Sequence, residues 1–173
     1  SDLRDSGINS WSTVFSKGNS RTGYCSGAPA GVVVGRFSNI KNRYVFGIKD
    51  DAGHCVVVDS GAVSFVNPTA PSAHLLTLVV DRGAGTLTGF VDFKQVGQSN
   101  ITTVNSLNMT AAPILFGAGN MLWKGMIDEV KIYEGALTLD EIRELFYAGN
   151  SLAENISPTV NLLTPVQPGG VLS

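Results

Sequence analysis

Short runs of β-branched and aromatic residues, cut apart by glycine and proline at intervals of about ten residues, constrain this chain more than any other feature. The runs are STVFS (12–16), GVVVGRF (31–37), RYVFGIK (43–49), HCVVVDS (54–60), HLLTLVVD (74–81), GTLTGFVDFKQVG (85–97), APILFGA (112–118) and GMIDEVKIY (125–133). Helical stretches do not alternate with them, so a parallel sheet built from strand–helix–strand units is excluded. Two interruptions carry turn chemistry: DDAG at Asp50–Gly53 and DRGAG at Asp81–Gly85. In each, the aspartate can bond to its own backbone and the glycine accepts positive φ, which predicts antiparallel hairpins. The fold class expected is all-β, a two-sheet antiparallel sandwich.

One helix is expected, and it comes late. Thr138 followed by Glu141 forms a capping box, with Asp140 favourable in the first turn. Leu137 and Ile142 suit a hydrophobic staple, while Leu139, Ile142, Leu145 and Phe146 recur at helical spacing, and Gly149 is placed to stop the helix. So short a helix needs a surface to pack against. Beyond Asn150, the segment 151–173 is rich in Pro, Ser and Gly and has no sustained period. It is expected to be a linker or the start of a following domain, with residues 1–150 as one domain and neighbouring domains of the same chain as partners.

Composition closes off several functions. Hydrophobic residues make up 43% of the 173, and charged residues 15%, which describes a packed chain. The formal net charge is −2, and the densest basic group is only Lys41–Arg43, so no nucleic-acid partner is expected. No apolar run is long enough to span a bilayer, so membrane insertion is not expected either. Cys25 and Cys55 are the only cysteines. They are either two small buried hydrophobes or one disulfide clipping neighbouring strands in an oxidising compartment. His54 and His74 do not have zinc-ligand spacing relative to them.

From His74 onward the chain resembles the laminin-G-like, concanavalin A-like jelly-roll family, in its bacterial branch that is similar to pentraxins. HLLTLVVDRGAGTLTGFVDFKQVG follows the course of that family's central hairpin, and PILFGAG (113–119) follows its next short strand. WKGMIDEVKIYEGALTLDEI (123–142) matches its closing strand and helix in residue type and order. Two departures stand out. The family's Val-Asp-Gly turn reads VDFK here, with Phe93 in place of glycine, so that hairpin tip is expected to be rebuilt. The family's opening strand, which normally lies beside the closing one, is expected to be missing from residues 1–150. An unpaired edge is therefore expected.

The candidate sites follow from residues and resemblance together. Alternation along MIDEVKIY puts Asp128 on one face with Met126, Val130 and Ile132, and Glu129 on the other with Lys131. Neighbours on opposite faces cannot act as a catalytic dyad. Asp128 is expected either to hold loop amides or to ligate a structural Ca²⁺, which the resemblance implies; Asp50 and Asp51 form a second calcium candidate. The Glu-x-Asp-x-x-Glu pattern of related glycosidases is absent, as is a G-x-S-x-G elbow, so an enzyme is not expected. Sugar binding uses aromatic platforms and amides at a loop rim, and Tyr24, Asn39, Asn42 and Tyr44 are the candidates for it. Tyr44 packing between the sheets, with the asparagines as turn residues, is the structural alternative. The function the resemblance implies is a non-catalytic carbohydrate-binding or adhesion module of a larger secreted or cell-surface protein, taking a glycan or another extracellular polymer. The alternatives are a protein-adhesion or spacer module without a small-ligand site, and, further off, a polysaccharide-degrading domain.

Overall fold

A computed structural model describes residues 11–18, 30–37, 43–63, 74–107, 112–117, 123 and 126–151. The elements are β1 (Trp11–Lys17), β2 (Gly31–Phe37), β3 (Arg43–Lys49), β4 (Cys55–Ala62), β5 (Leu76–Asp81), β6 (Thr86–Val91), β7 (Lys94–Asn100), β8 (Ile114–Phe116) and α1 (Leu139–Ser151). They form a five-stranded sheet in the order β4-β3-β2-β1-β8 and a three-stranded sheet in the order β5-β6-β7. Every pairing is antiparallel. The all-β, two-sheet expectation is the fold found.

Alternation decides which side chains meet. Val34 of β2, Tyr44, Phe46 and Ile48 of β3 and Val58 of β4 point at Leu87 and Val91 of β6, and Ile101 and Val104 close the same cluster. Phe46, Ile48 and Leu87 have no exposed surface, and each stabilises the fold by about 1.5–3 kcal/mol through burial. The sheets approach closely because Gly89 lies under the Phe46 ring: a Cβ there would sit 2.5 Å from Phe46 Cδ2.

The opposite face of the three-stranded sheet takes the helix. Val79, Phe90 and Ile142 form a second buried cluster, with Leu75, Phe93 and Leu137 against it. The capping box forms as its residue types dictate. Glu141 Oε2 accepts the Thr138 N–H at 2.7 Å, and the Glu141 N–H donates to Thr138 Oγ1 at 3.3 Å. These bonds hold the Glu141 carboxyl below its ordinary range. Phe93, the residue in the family's glycine position, explains the rebuilt hairpin. Its ring meets Phe146 edge-on at 5.1 Å and Tyr147 at 5.7 Å, and the Arg143 guanidinium lies 5.8 Å from its centroid. The altered turn thus anchors the helix by aromatic contact. Gly149 does not end the helix, which continues to Ser151.

Both aspartate–glycine turns form. Gly53 N–H donates to Asp50 O at 3.2 Å, and Ala84 N–H donates to Asp81 Oδ1 at 2.8 Å. The expected strand at 125–133 does not: residues 126–133 belong to no sheet, and Glu129 has a φ of 49°, which an extended strand does not allow. Cys55, at the head of β4, is disulfide-bonded, and Cys25 is the only other cysteine in the sequence. Among the described residues no helix is long and apolar enough to cross a membrane, which leaves membrane β-barrels unaddressed.

Candidate functional site

The antiparallel order gives the sandwich two ends with different chemistry. One end holds the β3–β4 turn, the β5–β6 turn and the segment after β7. Asp50 sits there, buried, and every contact it makes is internal. Its Oδ1 accepts the His54 N–H at 2.8 Å, its Oδ2 accepts the Asn105 N–H at 2.8 Å, and the His54 ring nitrogen lies 2.8 Å from the same oxygen. Burial pushes this carboxyl up, but the Asn105 and His54 bonds together outweigh it and hold it well below the ordinary carboxylate range. Arg82 completes the tie by donating to Val104 O at 2.6 Å and Asn105 O at 2.8 Å. This end is a clasp between the two sheets.

The other end gathers the last residues of β2 and β4 with the first of β3 and β5 and the β6–β7 turn. Arg43 grips Asp59 through Nε at 2.8 and 3.1 Å, with Nη2 also on Oδ2. That side-chain bond leads the causes that lower the Asp59 carboxyl. Asp92, at a φ of 57°, turns β6 into β7. It accepts the Leu75 N–H at 3.1 Å and lies 3.3 Å from His74 Nδ1. Tyr44 is buried between these groups. Burial raises its hydroxyl, the Arg36 charge lowers it and the Asp92 charge raises it again, which places all three groups within electrostatic reach.

Arg36 stands apart from its neighbours. It continues the inward alternation of Val32 and Val34 and lies directly opposite Tyr44 of β3. Its Nε is buried without a hydrogen-bond partner among the described residues. A buried polar donor left unpaired costs free energy and calls for an explanation. A planar guanidinium is also the side chain best shaped to take a carboxylate by two parallel bonds.

The sequence-derived candidates distribute as follows. Tyr24, Asn39 and Asn42 lie outside the described residues. Tyr44 is a core residue with 5% exposure, so its ring is no stacking platform. Asp50 is the clasp, and both its oxygens are engaged; Asp51 is exposed on the turn. Asp128 does not share a strand face with apolar neighbours, because the strand is not there. It is exposed, and its Oδ1 accepts the next residue's N–H at 2.8 Å. Among the described residues no three His, Cys, Asp or Glu side chains gather as a metal group. Calcium takes about six to eight oxygens, main-chain carbonyls included.

Comparison with known proteins agrees with the architecture. The family model of the concanavalin A-like lectin/glucanases superfamily matches residues 6–143. Among solved structures, the CBM40 domain of the Ruminococcus gnavus IT-sialidase bound to α2,3-sialyllactose is similar. Its TM-score is 0.60 at 13% identity, over 80% of this chain and 75% of that one. A second structure of that CBM40 domain gives the same values. The binding domain of Paraclostridial Mosquitocidal Protein 1 matches with a TM-score of 0.53 at 15% identity, over 80% of this chain and 37% of that one. At these identities the likeness shows the fold alone. No curated protein matches the chain.

Proposed function

The chain belongs to the concanavalin A-like lectin/glucanases superfamily, and from that premise we propose that it is a non-catalytic glycan-binding module of a secreted or cell-surface protein. Its ligand end is the Arg36 end. The observation that carries the reading is the buried Arg36 Nε beside Tyr44, without a hydrogen-bond partner among the described residues, with Arg43–Asp59 and His74–Asp92 around it. A guanidinium in this position suits a glycan that carries a carboxylate, and the paired acids supply acceptors for sugar hydroxyls. The sialyllactose held by the CBM40 neighbour suggests which probe to try first. A reaction is not part of the proposal: the Arg36 end holds two aspartates, each committed to a basic partner, rather than a free acid–base pair flanking one bond.

The test is a glycan array with sialylated, uronic-acid and neutral oligosaccharides, run with calcium and with EDTA, on the wild type and on Arg36→Gln. Retention of acidic glycans by the wild type, weakened about tenfold or more in Arg36→Gln, supports the reading, since hydrogen bonds to charged groups are worth about 1.5–3 kcal/mol. Failure to retain any glycan overturns it and leaves the protein-adhesion module. A structural calcium ion would rest on Asp128 or on Asp51, the exposed acids among the described candidates. A melting temperature raised by Ca²⁺ in the wild type and not in Asp128→Asn would support that ion, and an unchanged melt would reject it.

A further inference from the structure

Asn-x-Ser/Thr sequons begin at Asn100, Asn108 and Asn155, and the first lies among the described residues. Asn100 is the last residue of β7. It and Thr102 are exposed on either side of Ile101, which is buried in the central core cluster. The Ile101 N–H donates to Gly85 O at 2.9 Å, so the middle residue of the sequon pins the outer two to the β5–β6 turn. The carboxamide is oriented as well. Asn100 Oδ1 accepts the Thr102 N–H at 2.8 Å and the Thr102 hydroxyl at 2.5 Å. A main-chain N–H can only donate, so the atom facing it is the oxygen, and Nδ2, the other arm of the planar group, is turned away from Thr102. A second observation bears on where the chain folds. Cys55 is disulfide-bonded, and disulfides persist in oxidising compartments such as the endoplasmic reticulum lumen and the bacterial periplasm. Those are also the compartments in which lipid-linked oligosaccharides meet asparagine sequons.

We propose that Asn100 is the acceptor of an N-linked glycan. The donor is an oligosaccharide carried on a polyprenyl diphosphate, and a transferase makes the exchange. Asn100 Nδ2 bonds to C1 of the reducing-end sugar while the C1–O bond to the diphosphate breaks. The diphosphate leaves with the electron pair, and Nδ2 gives one proton to a base of the transferase. Nothing is oxidised or reduced. The fold accommodates the product: Ile101 stays in the core while the exposed Asn100 holds its amide nitrogen away from the turn, so the added sugar remains in water. The site belongs to the clasp end. β7 runs from Lys94, beside the β6–β7 turn, to Asn100, which puts about 20 Å between the root of the glycan and the Arg36 end. A glycan on Asn100 therefore leaves the Arg36 end open, and its presence does not depend on what that end binds.

Peptide mapping by mass spectrometry tests this on the full chain secreted from a eukaryotic cell, as wild type, Asn100→Gln, Thr102→Ala and Thr102→Ser. The expected result is a glycopeptide containing Asn100 in the wild type, lost in Asn100→Gln and Thr102→Ala and kept in Thr102→Ser. Peptide:N-glycosidase should remove the sugar and convert its asparagine to aspartate. Melting temperatures before and after that treatment should agree within about 2 °C, because the root of the glycan faces water. Secreted, folded chains whose Asn100 is unmodified overturn the proposal, as does modification confined to Asn108 or Asn155. A glycan at Asn100 found only in chains that no longer melt cooperatively overturns it too, because the fold would then reject the product.

Discussion

The two ends of the sandwich are built from the same kinds of residue and do opposite things with them. At the clasp end, Asp50, His54, Arg82 and Asn105 bond to one another and to backbone groups across the sheets. At the other end, Arg43 holds Asp59 and Asp92 holds His74, while the Arg36 Nε is left buried without a partner among the described residues. A satisfied buried network stabilises a fold, whereas an unsatisfied buried donor calls for an explanation. That contrast is the ground on which stability is assigned to one end and recognition is proposed for the other.

The largest stability effect is expected at the clasp. Asp50→Ala leaves the Asn105 and His54 N–H groups without their buried acceptor, and it should lower the melting temperature more than any substitution at the Arg36 end. Thermal unfolding followed by circular dichroism measures this. Cys55→Ser, at the same end, removes the disulfide and should cost about 2–5 kcal/mol in urea titrations. A loss under about 1 kcal/mol would show that the bond constrains little of the unfolded chain.

Acid should expose the clasp as well. The Asp50 carboxyl is held below its unfolded value of about 3.9. Its contribution is therefore complete above that value and is lost as pH falls through the folded one. Urea midpoints should stay level from neutral pH down to about 4 and then drop, with Asp50→Asn flattening the drop. Asp59, lowered by Arg43, adds a smaller loss of the same sign. At the Arg36 end, Arg43→Ala breaks a pair whose side chains are 31% and 35% exposed. It should cost no more than about 1 kcal/mol, because water and salt screen such pairs. Arg36→Gln, which keeps a polar side chain of similar reach without the charge, should change the melting temperature far less than Asp50→Ala and act mainly on binding.

Much of the fold was legible because its cues are local. Thr138 and Glu141 lie three residues apart, and the capping box forms. The DDAG and DRGAG turns each need only their own residues. What distance hides was less legible. Asp50 read as a hairpin acid because its decisive partner, Asn105, is 55 residues away. The 126–133 alternation is real in sequence, but alternation states which faces side chains would take and not whether a neighbouring strand exists. Phe93 signalled a changed turn without saying that the helix would receive its ring. Arg36 was missed since no motif surrounds it. The available signal was its place in GVVVGRF, where continuing the inward positions of Val32 and Val34 sets a charge on an apolar face.

Isothermal titration of the folded wild type and Arg36→Gln with sialyllactose, and with lactose as its neutral counterpart, tests the central claim most directly. The account predicts saturable binding of the acidic sugar by the wild type, at least about tenfold weaker binding in Arg36→Gln, and little response to lactose in either. Equal affinity of both proteins for sialyllactose, or no heat from either, would contradict it.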